Sequence, residues 1–304
     1  MSHHARPVLV AGVLFASLSA IFIRLSDAPP LVIAFYRMLF TSAMLLPSYL
    51  LGLRRRAALH SRGGAPSSRH PLRVVLLLVL SGLFLALHFA TWITSLQYTS
   101  VASAVVLVSL HPIFVATGSV LFLRESVRPA VFACILAAIA GSVILSVPDA
   151  GADPGAMTGN LLAVAGAAAV SGYMLIGRAM RRTVGAVTYN FSVYVSTTLF
   201  LLVFTRIASI PLAGYALREF VIFLALAFFC TVLGHSIFNW GLKYLAASFV
   251  SASILLEPLF ATVLAAMLFS EIPGLLAILG GAVVIVSLLG VIRLDRSRMP
   301  PPPG

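Results

Sequence analysis

Long apolar runs separated by short polar or proline-containing joints dominate this chain. A helix needs about 20 apolar residues to cross a hydrocarbon core of about 30 Å, and ten runs are of spanning length. They are residues 7–25, 31–51, 72–96, 102–123, 130–147, 158–178, 187–205, 217–241, 247–269 and 274–293. The pattern predicts an all-α polytopic membrane protein with ten transmembrane helices embedded in a lipid bilayer.

Composition supports this prediction, and the placement of charge adds a topology. The chain is 61% hydrophobic and 9% charged, whereas a soluble domain carries about 25% charged residues. Its formal net charge of +12 would by itself also fit nucleic-acid binding. If the amino terminus is inside, however, Arg206 and Arg218 fall outside, Arg24 and Arg37 fall within or beside spans, and the other basic residues fall inside. This bias predicts a cytoplasmic (inner) membrane protein with both termini cytoplasmic and no nucleic-acid partner.

The chain also contains an internal repeat, which becomes visible when the sequence is shifted by 146 residues. The matched positions are Tyr98 with Tyr244, Leu110 with Leu256, Pro112 with Pro258, Phe114 with Phe260 and Glu125 with Glu271. Because each half has an odd number of spans, the second copy enters the membrane from the opposite side. We therefore predict two inverted five-helix repeats, residues 1–147 and 158–293, around a central cavity, followed by a disordered cytoplasmic tail at 294–304.

Two further segments complete a family resemblance: FYRML in the second span and LEPLFATVLAAMLFSE in the ninth. Together with the ten-span layout and the duplicated segments, they resemble the EamA family of the drug/metabolite transporter superfamily over roughly residues 7–293. The resemblance implies alternating-access transport of a small metabolite, such as an amino acid or a related organic solute, with export as the implied direction. It also implies that spans 1, 3, 4, 6, 8 and 9 surround the pathway.

One carboxylate lies in the middle of an apolar span: Glu257, followed by Pro258. A charge at the bilayer centre is costly unless it faces a cavity or a partner, and Pro258 removes the helical hydrogen bond to the carbonyl of Ile254. We interpret Glu257 as a proton-exchanging or gating carboxylate; the alternative is a neutral packing group. His111, before the helix-breaking Pro112, occupies the repeat-related position and either shares a proton with Glu257 or fills a kinked helix.

Further polar groups occur at helical spacing within the spans. His88 and Trp92 lie four residues apart on one face of the third span, and His235 and Asn239 repeat that spacing in the eighth. Aromatic, imidazole and amide groups together suit an organic solute with apolar and polar parts. The family resemblance adds Tyr173 in the sixth span to these candidates for substrate binding or proton coupling.

Other side chains within or near the spans are interpreted as structural. Arg37 lies some six residues into the second span, where a long side chain can snorkel outward, and we assign Arg37, Tyr98 and Tyr244 structural or gating roles. Asn190 and Tyr194 are predicted to be hydrogen-bond partners between helices.

An enzyme is not predicted, and neither a cofactor nor a bound metal is expected. The chain contains no G-x-x-x-x-G-K-[ST] phosphate loop, which argues against an ATP-driven pump. Four of the site residues, His88, His111, His235 and Glu257, are nevertheless zinc-ligand types. A membrane-embedded metal-dependent enzyme is therefore an alternative, as is a non-transporting membrane protein. The sequence leaves open the cargo, the direction, a proton or other coupling ion, and whether the chain is a monomer or a homodimer.

Overall fold

In a computed structural model, the part of the chain that is described is helical and contains no β-strand. The structure describes residues 2–60, 71–123, 129–152, 154–181, 183–241, 250, 254, 257–270 and 272–295. Tyr244 and residues 296–304 of the predicted tail lie outside this set. The last described helix ends at Asp295.

Helix is present in every one of the ten predicted runs. The elements are α1 (Ser2–Arg24), α2 (Pro30–His60), α3 (Pro71–Ser95), α4 (Val101–Val108), α5 (His111–Leu123), α6 (Pro129–Ala152), α7 (Pro154–Met180), α8 (Ala186–Ile207), α9 (Leu217–Ala225), a π-helical segment (Leu226–His235), α10 (Ser236–Gly241), α11 (Glu257–Phe269) and α12 (Leu275–Asp295).

Length, composition and burial together define a multi-pass membrane protein. Among the described residues, six helical stretches are long and apolar enough to cross a membrane: Pro30–Arg54, Leu72–Ser95, Val101–Phe122, Gly155–Met180, Ala186–Ile207 and Leu217–Gly241. Shorter apolar helices cover Ala11–Arg24, Pro129–Gly141 and Leu275–Ser287. Phe122 and Leu217 are exposed on the outside, whereas Arg37, Tyr189 and Tyr194 are fully buried. Large apolar side chains on the outer surface, with polar side chains such as these enclosed within the protein, suit a lipid surround.

The fourth predicted run is interrupted beside its proline. Helix α4 ends at Val108 and α5 begins at His111, with Pro112 as its second residue. Proline is tolerated in a first turn because the N–H that it lacks has no helical partner there. Helix α11 likewise begins at Glu257, with Pro258 as its second residue. Both predicted helix-breaking prolines therefore occupy the second position of a described helix.

The eighth predicted run contains a feature that the sequence pattern does not reveal. Its middle part is π-helical, and the Thr231 hydroxyl donates to the carbonyl of Leu226, five residues earlier, at 3.2 Å. The segment ends at His235. π-Helical turns are rare and occur frequently at functional sites.

Several contacts between helices occur twice in the structure, each time between different pairs of helices. Helix α3 packs against α7, and the π-helical segment packs against α1. Similarly, α3 contacts α8, while α9 and the π-helical segment contact α2. Other extensive contacts join α2 to α8, α4 to α11 and α6 to α12. The last is close because Gly141 has no side chain; a Cβ there would lie 2.9 Å from the Gly280 carbonyl oxygen.

Candidate functional site

One cavity between the helices gathers the candidate binding and coupling residues named from the sequence. Its lining includes His88, Trp92, His111, Tyr173, His235, Asn239 and Glu257. Val108, Ser109, Val170, Met174, Phe238 and Ile254 complete the lining. About 50 Å³ is open to the centres of water-sized molecules, and one water requires about 10–15 Å³ by this measure. In this conformation the cavity is therefore narrow, with room for a few waters.

Helix α3 contributes two stacked rings to the cavity lining, those of His88 and Trp92. The Nδ1 of His88 donates to the carbonyl of Gly166 in α7 at 2.9 Å, which leaves Nε2 as the acceptor of the neutral ring. The His88 and Trp92 rings stack with centroids 5.8 Å apart and an interplanar angle of 9°. Trp92 is only 3% exposed, and its Nε1 has no hydrogen-bond partner among the described residues. An unpaired buried donor is costly.

His111 is held at the break between α4 and α5. Its Nδ1 donates to the carbonyl of Val108 at 3.2 Å, the carbonyl whose helical hydrogen bond Pro112 cannot make. Its own carbonyl accepts a hydrogen bond from the Ser171 hydroxyl of α7 at 2.9 Å. Ser109, at the same break, also lines the cavity. The sequence analysis missed Ser109, although its position directly before the His111–Pro112 break was a usable signal.

Asn239, in α10, connects the cavity wall to side chains of α7 and α8. Its Nδ2 donates to the Asn190 side-chain oxygen at 2.8 Å, to the Tyr173 hydroxyl and, at 3.4 Å, to the Tyr194 hydroxyl. The predicted role of Asn190 and Tyr194 as hydrogen-bond partners between helices is confirmed. Arg181, at the end of α7, donates from Nε to the Asn239 carbonyl at 3.1 Å. Sequence reasoning did not single out Arg181, because a basic residue at a span end reads as a topology signal.

Arg37 lies behind the cavity, not in its lining, and its side chain does not snorkel outward. Its guanidinium carbon is 4.5 Å from the centroid of the Phe89 ring, and Phe89 in turn lies 5.7 Å from the His235 ring. Nε donates to the Thr231 hydroxyl and Nη1 to the Ser19 hydroxyl, both at 2.8 Å. Arg37 therefore joins α1, α2, α3 and the π-helical segment. These contacts offset part of the desolvation cost of the guanidinium and explain why a charged side chain is tolerated inside the protein.

Glu257 is the partly buried first residue of α11. Negative charge is favourable at a helix amino terminus because the unpaired backbone N–H groups point towards it. Among the described residues that line the cavity, Glu257 is the only Asp, Glu, Lys or Arg. Tyr98, by contrast, is 47% exposed and is not part of the cavity lining.

The described residues contain no group of three or more His, Cys, Asp or Glu side chains arranged to hold a metal ion. The cavity lining is drawn from α3, α4, α5, α7, the π-helical segment, α10, α11 and Ile254. These belong to predicted spans 3, 4, 6, 8 and 9. Span 1, which the family resemblance also places at the pathway, contributes no side chain to the described lining.

A cavity that is lined by both polar and apolar side chains and enclosed by helices with apolar outer faces is typical of membrane transport proteins. The EamA-like transporter family model matches residues 7–147 and again 157–293. The chain therefore belongs to this family, and it is a membrane transporter of small metabolites. The pseudopaline exporter CntI of Pseudomonas aeruginosa, from strains UCBPP-PA14 and PAO1, is 26% identical over 307 residues, covering 95% of this chain and 98% of that protein.

A solved crystal structure has the same fold. Its TM-score is 0.67 at 20% sequence identity, and the match covers 98% of this chain and 99% of that chain. At this identity the likeness concerns the fold alone.

Proposed function

We propose that the protein is a secondary transporter that exports small organic solutes by alternating access, using two inverted five-helix repeats. The observation that carries this proposal is that repeat-related positions line one cavity. The pairs, separated by 146 or 147 residues, are His88 with His235, Trp92 with Asn239, and His111 with Glu257. A cavity on the axis relating two inverted repeats is where alternating-access carriers hold their cargo.

The packing of the helices supports the inverted repeat. If spans 1–5 correspond to spans 6–10, the α3–α7 contact, between spans 3 and 6, is equivalent to the contact between the π-helical segment and α1, which belong to spans 8 and 1. The α2–α8, α4–α11 and α6–α12 contacts each join two equivalent spans. The two successive matches of the family model, at 7–147 and 157–293, agree with this division. Rocking of one repeat against the other would then open the cavity to each side in turn.

Other observations support the proposed direction, cargo and topology. The relative named as a pseudopaline exporter supports outward transport of a small organic metabolite, and an amino acid or related solute suits the mixed polar and aromatic lining. The bias of basic residues to one side supports an inner-membrane location with both termini cytoplasmic.

Proton exchange at Glu257 is the proposed driving step, with His111 as its repeat-related partner. A carboxylate that meets both sides of the membrane in turn can take up a proton on one side and release it on the other. Cargo would leave as protons enter. His111 faces the same cavity, and its Nε2 can hold or release a proton within it.

The experiment compares Glu257→Gln with the wild type in proteoliposomes. Glutamine keeps the side-chain volume but cannot carry a proton in this way, so flux of radiolabelled amino acids driven by a pH gradient should be lost while the size-exclusion profile is unchanged. Asp27→Asn is the matched control, because the Asp27 side chain is 84% exposed and pairs with Arg218 in an exposed ion pair.

The Asp27→Asn protein should transport like the wild type. Wild-type flux with unchanged pH dependence in the Glu257→Gln protein would remove Glu257 from the coupling mechanism. Absence of flux for every solute in the wild-type protein would refute the carrier itself.

A further inference from the structure

A second open space lies on the surface of the protein, between α2 and α8. Its volume is about 410 Å³, against about 50 Å³ for the central cavity, and this is within the size range of small-ligand sites. One end of each helix supplies the lining, which consists of Ser48, Tyr49, Leu51 and Gly52 in α2 and of Gly185, Ala186, Val187 and Thr188 beside and within the first turn of α8. We call this space the α2–α8 groove.

A proline and a glycine leave the α2–α8 groove open, and a ring contact marks where the two helices meet. Pro47, inside α2, lacks the N–H for an intrahelical hydrogen bond, and prolines commonly bend the helix that they interrupt. The groove begins at the next residue. The Tyr49 ring stacks on Phe191, one turn beyond Thr188 in α8, with centroids 4.2 Å apart. A Cβ on Gly52 would have no atom within 4 Å, so this part of the groove is empty of protein atoms.

The groove lies at the end of α2 that carries positive charge. Arg54 is exposed two residues beyond the last lining residue of α2, and Arg55 and Arg56 follow it in the sequence. Two residues advance about 3 Å along a helix, a distance that an arginine side chain spans easily. The sequence contains no Asp or Glu from 28 to 124 or from 154 to 218, so neither α2 nor α8 offers a carboxylate to these arginines. The charge at this end of the groove therefore favours an anion.

Apolar side chains adjoin this charge on the same surface. Leu50 and Leu51 of α2 and Val187 of α8 are all exposed, and exposed apolar side chains on membrane-spanning helices contact acyl chains. The lining also includes Ser48 and Thr188, whose hydroxyls can donate to phosphate oxygens. Cations, hydroxyls and apolar surface therefore occur together, and basic sites between membrane helices are where anionic lipid headgroups bind.

From these observations we propose that the α2–α8 groove binds one anionic phospholipid. Its phosphate lies between Arg54 and the groove hydroxyls, and its acyl chains run along the exposed leucines of α2. A zwitterionic lipid would bring a cation towards the arginines, and a free phosphate would leave the apolar surface uncovered. The site is separate from the cavity assigned to the cargo, and under the topology proposed above it faces the cytoplasmic leaflet.

The test counts lipids bound to the purified full chain by native mass spectrometry from a mild detergent. The probes are phosphatidylglycerol and phosphatidylcholine with identical acyl chains. One phosphatidylglycerol should bind at least about tenfold more tightly than phosphatidylcholine, because each arginine near an anionic lipid contributes about fivefold in affinity. Equal affinity for the two lipids would overturn the inference. So would displacement of phosphatidylglycerol by an equal concentration of inorganic phosphate, because the site would then recognise an anion and not a lipid.

Two variants locate the site on the protein. Gly52→Phe fills the groove without changing any charge, so phosphatidylglycerol should bind at least about tenfold more weakly; the open space at this position lets the variant fold. Arg54→Gln should weaken phosphatidylglycerol about fivefold and leave phosphatidylcholine unchanged. Arg293→Gln is the matched control, because Arg293 is exposed in the last turn of α12, which packs on α6. Wild-type lipid binding by Gly52→Phe, or equal losses in the two arginine variants, would refute the assignment to this groove.

Thermal unfolding provides a second measurement that does not depend on mass spectrometry. A ligand that binds only the native state raises the melting temperature, so phosphatidylglycerol should stabilise the wild type more than phosphatidylcholine does. The Gly52→Phe protein should show no such difference, and a wild-type difference in that variant would contradict the inference. Flux separates this site from the carrier proposal. A protein that binds phosphatidylglycerol selectively but transports no solute would refute only the carrier, whereas transport without selective lipid binding would refute only the lipid site.

Discussion

Replacing Arg37 with methionine removes a cation whose contacts are all inside the protein. The side chain is fully buried, donates two hydrogen bonds at 2.8 Å and lies 4.5 Å from the centroid of the Phe89 ring. Hydrogen bonds within membrane proteins contribute about 1 kcal/mol each, and a desolvated cation–π contact contributes about 1–2 kcal/mol. The gross loss is therefore about 3–4 kcal/mol.

Part of this loss is offset because the guanidinium is not fully satisfied. Nη2 has no hydrogen-bond partner among the described residues, and removing a buried charge also removes its desolvation penalty. We expect a net loss of about 2 kcal/mol in the free energy of unfolding for Arg37→Met. Arg37→Lys should lose about half as much, because an ammonium cannot reach both Thr231 and Ser19 or stack as a planar group.

Reversible unfolding in mixed micelles of dodecyl sulfate and dodecyl maltoside, followed by tryptophan fluorescence, measures these differences. Arg206→Met is the control, because Arg206 lies exposed in the last turn of α8, and its unfolding free energy should match the wild type. If Arg37→Met is as stable as the wild type, the contacts of Arg37 do not hold the four helical elements together. If the lysine and methionine variants are equally destabilised, charge contributes nothing and geometry accounts for the whole effect.

Two other predictions concern the helix contact at Gly141 and the ring at the helix break. Gly141→Ala should destabilise the protein by about 1–3 kcal/mol through overpacking, because its Cβ would lie 2.9 Å from the Gly280 carbonyl oxygen. In the same unfolding assay, Gly52→Ala should be neutral or slightly stabilising, because no atom lies within 4 Å of a Cβ at that position. Equal effects of the two substitutions would contradict the close contact. His111→Asn should move the pH dependence of flux in proteoliposomes while changing the melting temperature little, and a change in melting temperature alone would favour a packing role for His111.

Much of the site was predictable because the chain repeats itself. The spacing of His88 and Trp92 recurs at His235 and Asn239, and Glu257 recurs as His111 before a proline. A duplicated polar position inside an apolar span is difficult to explain by packing alone, so the repeat selected residues that the structure brings to one cavity. Ser109 was missed because its repeat-related position, Leu255, is apolar, and Arg181 was missed because a basic residue at the end of a span reads as a topology signal.

The sequence by itself determined that the chain is helical and membrane-embedded and that the fourth run is interrupted beside Pro112, because apolar run length and proline act locally. It did not determine which helix faces meet. In a membrane, lipid-facing and core-facing residues are both apolar, so the alternation that reveals a buried face in a soluble protein is weak. Only the tertiary structure decided that Arg37 lies against the Phe89 ring, that Asn239 donates a hydrogen bond to Asn190, and that the indole N–H of Trp92 has no hydrogen-bond partner among the described residues. Each of these depends on distant segments meeting in three dimensions, which no local pattern records.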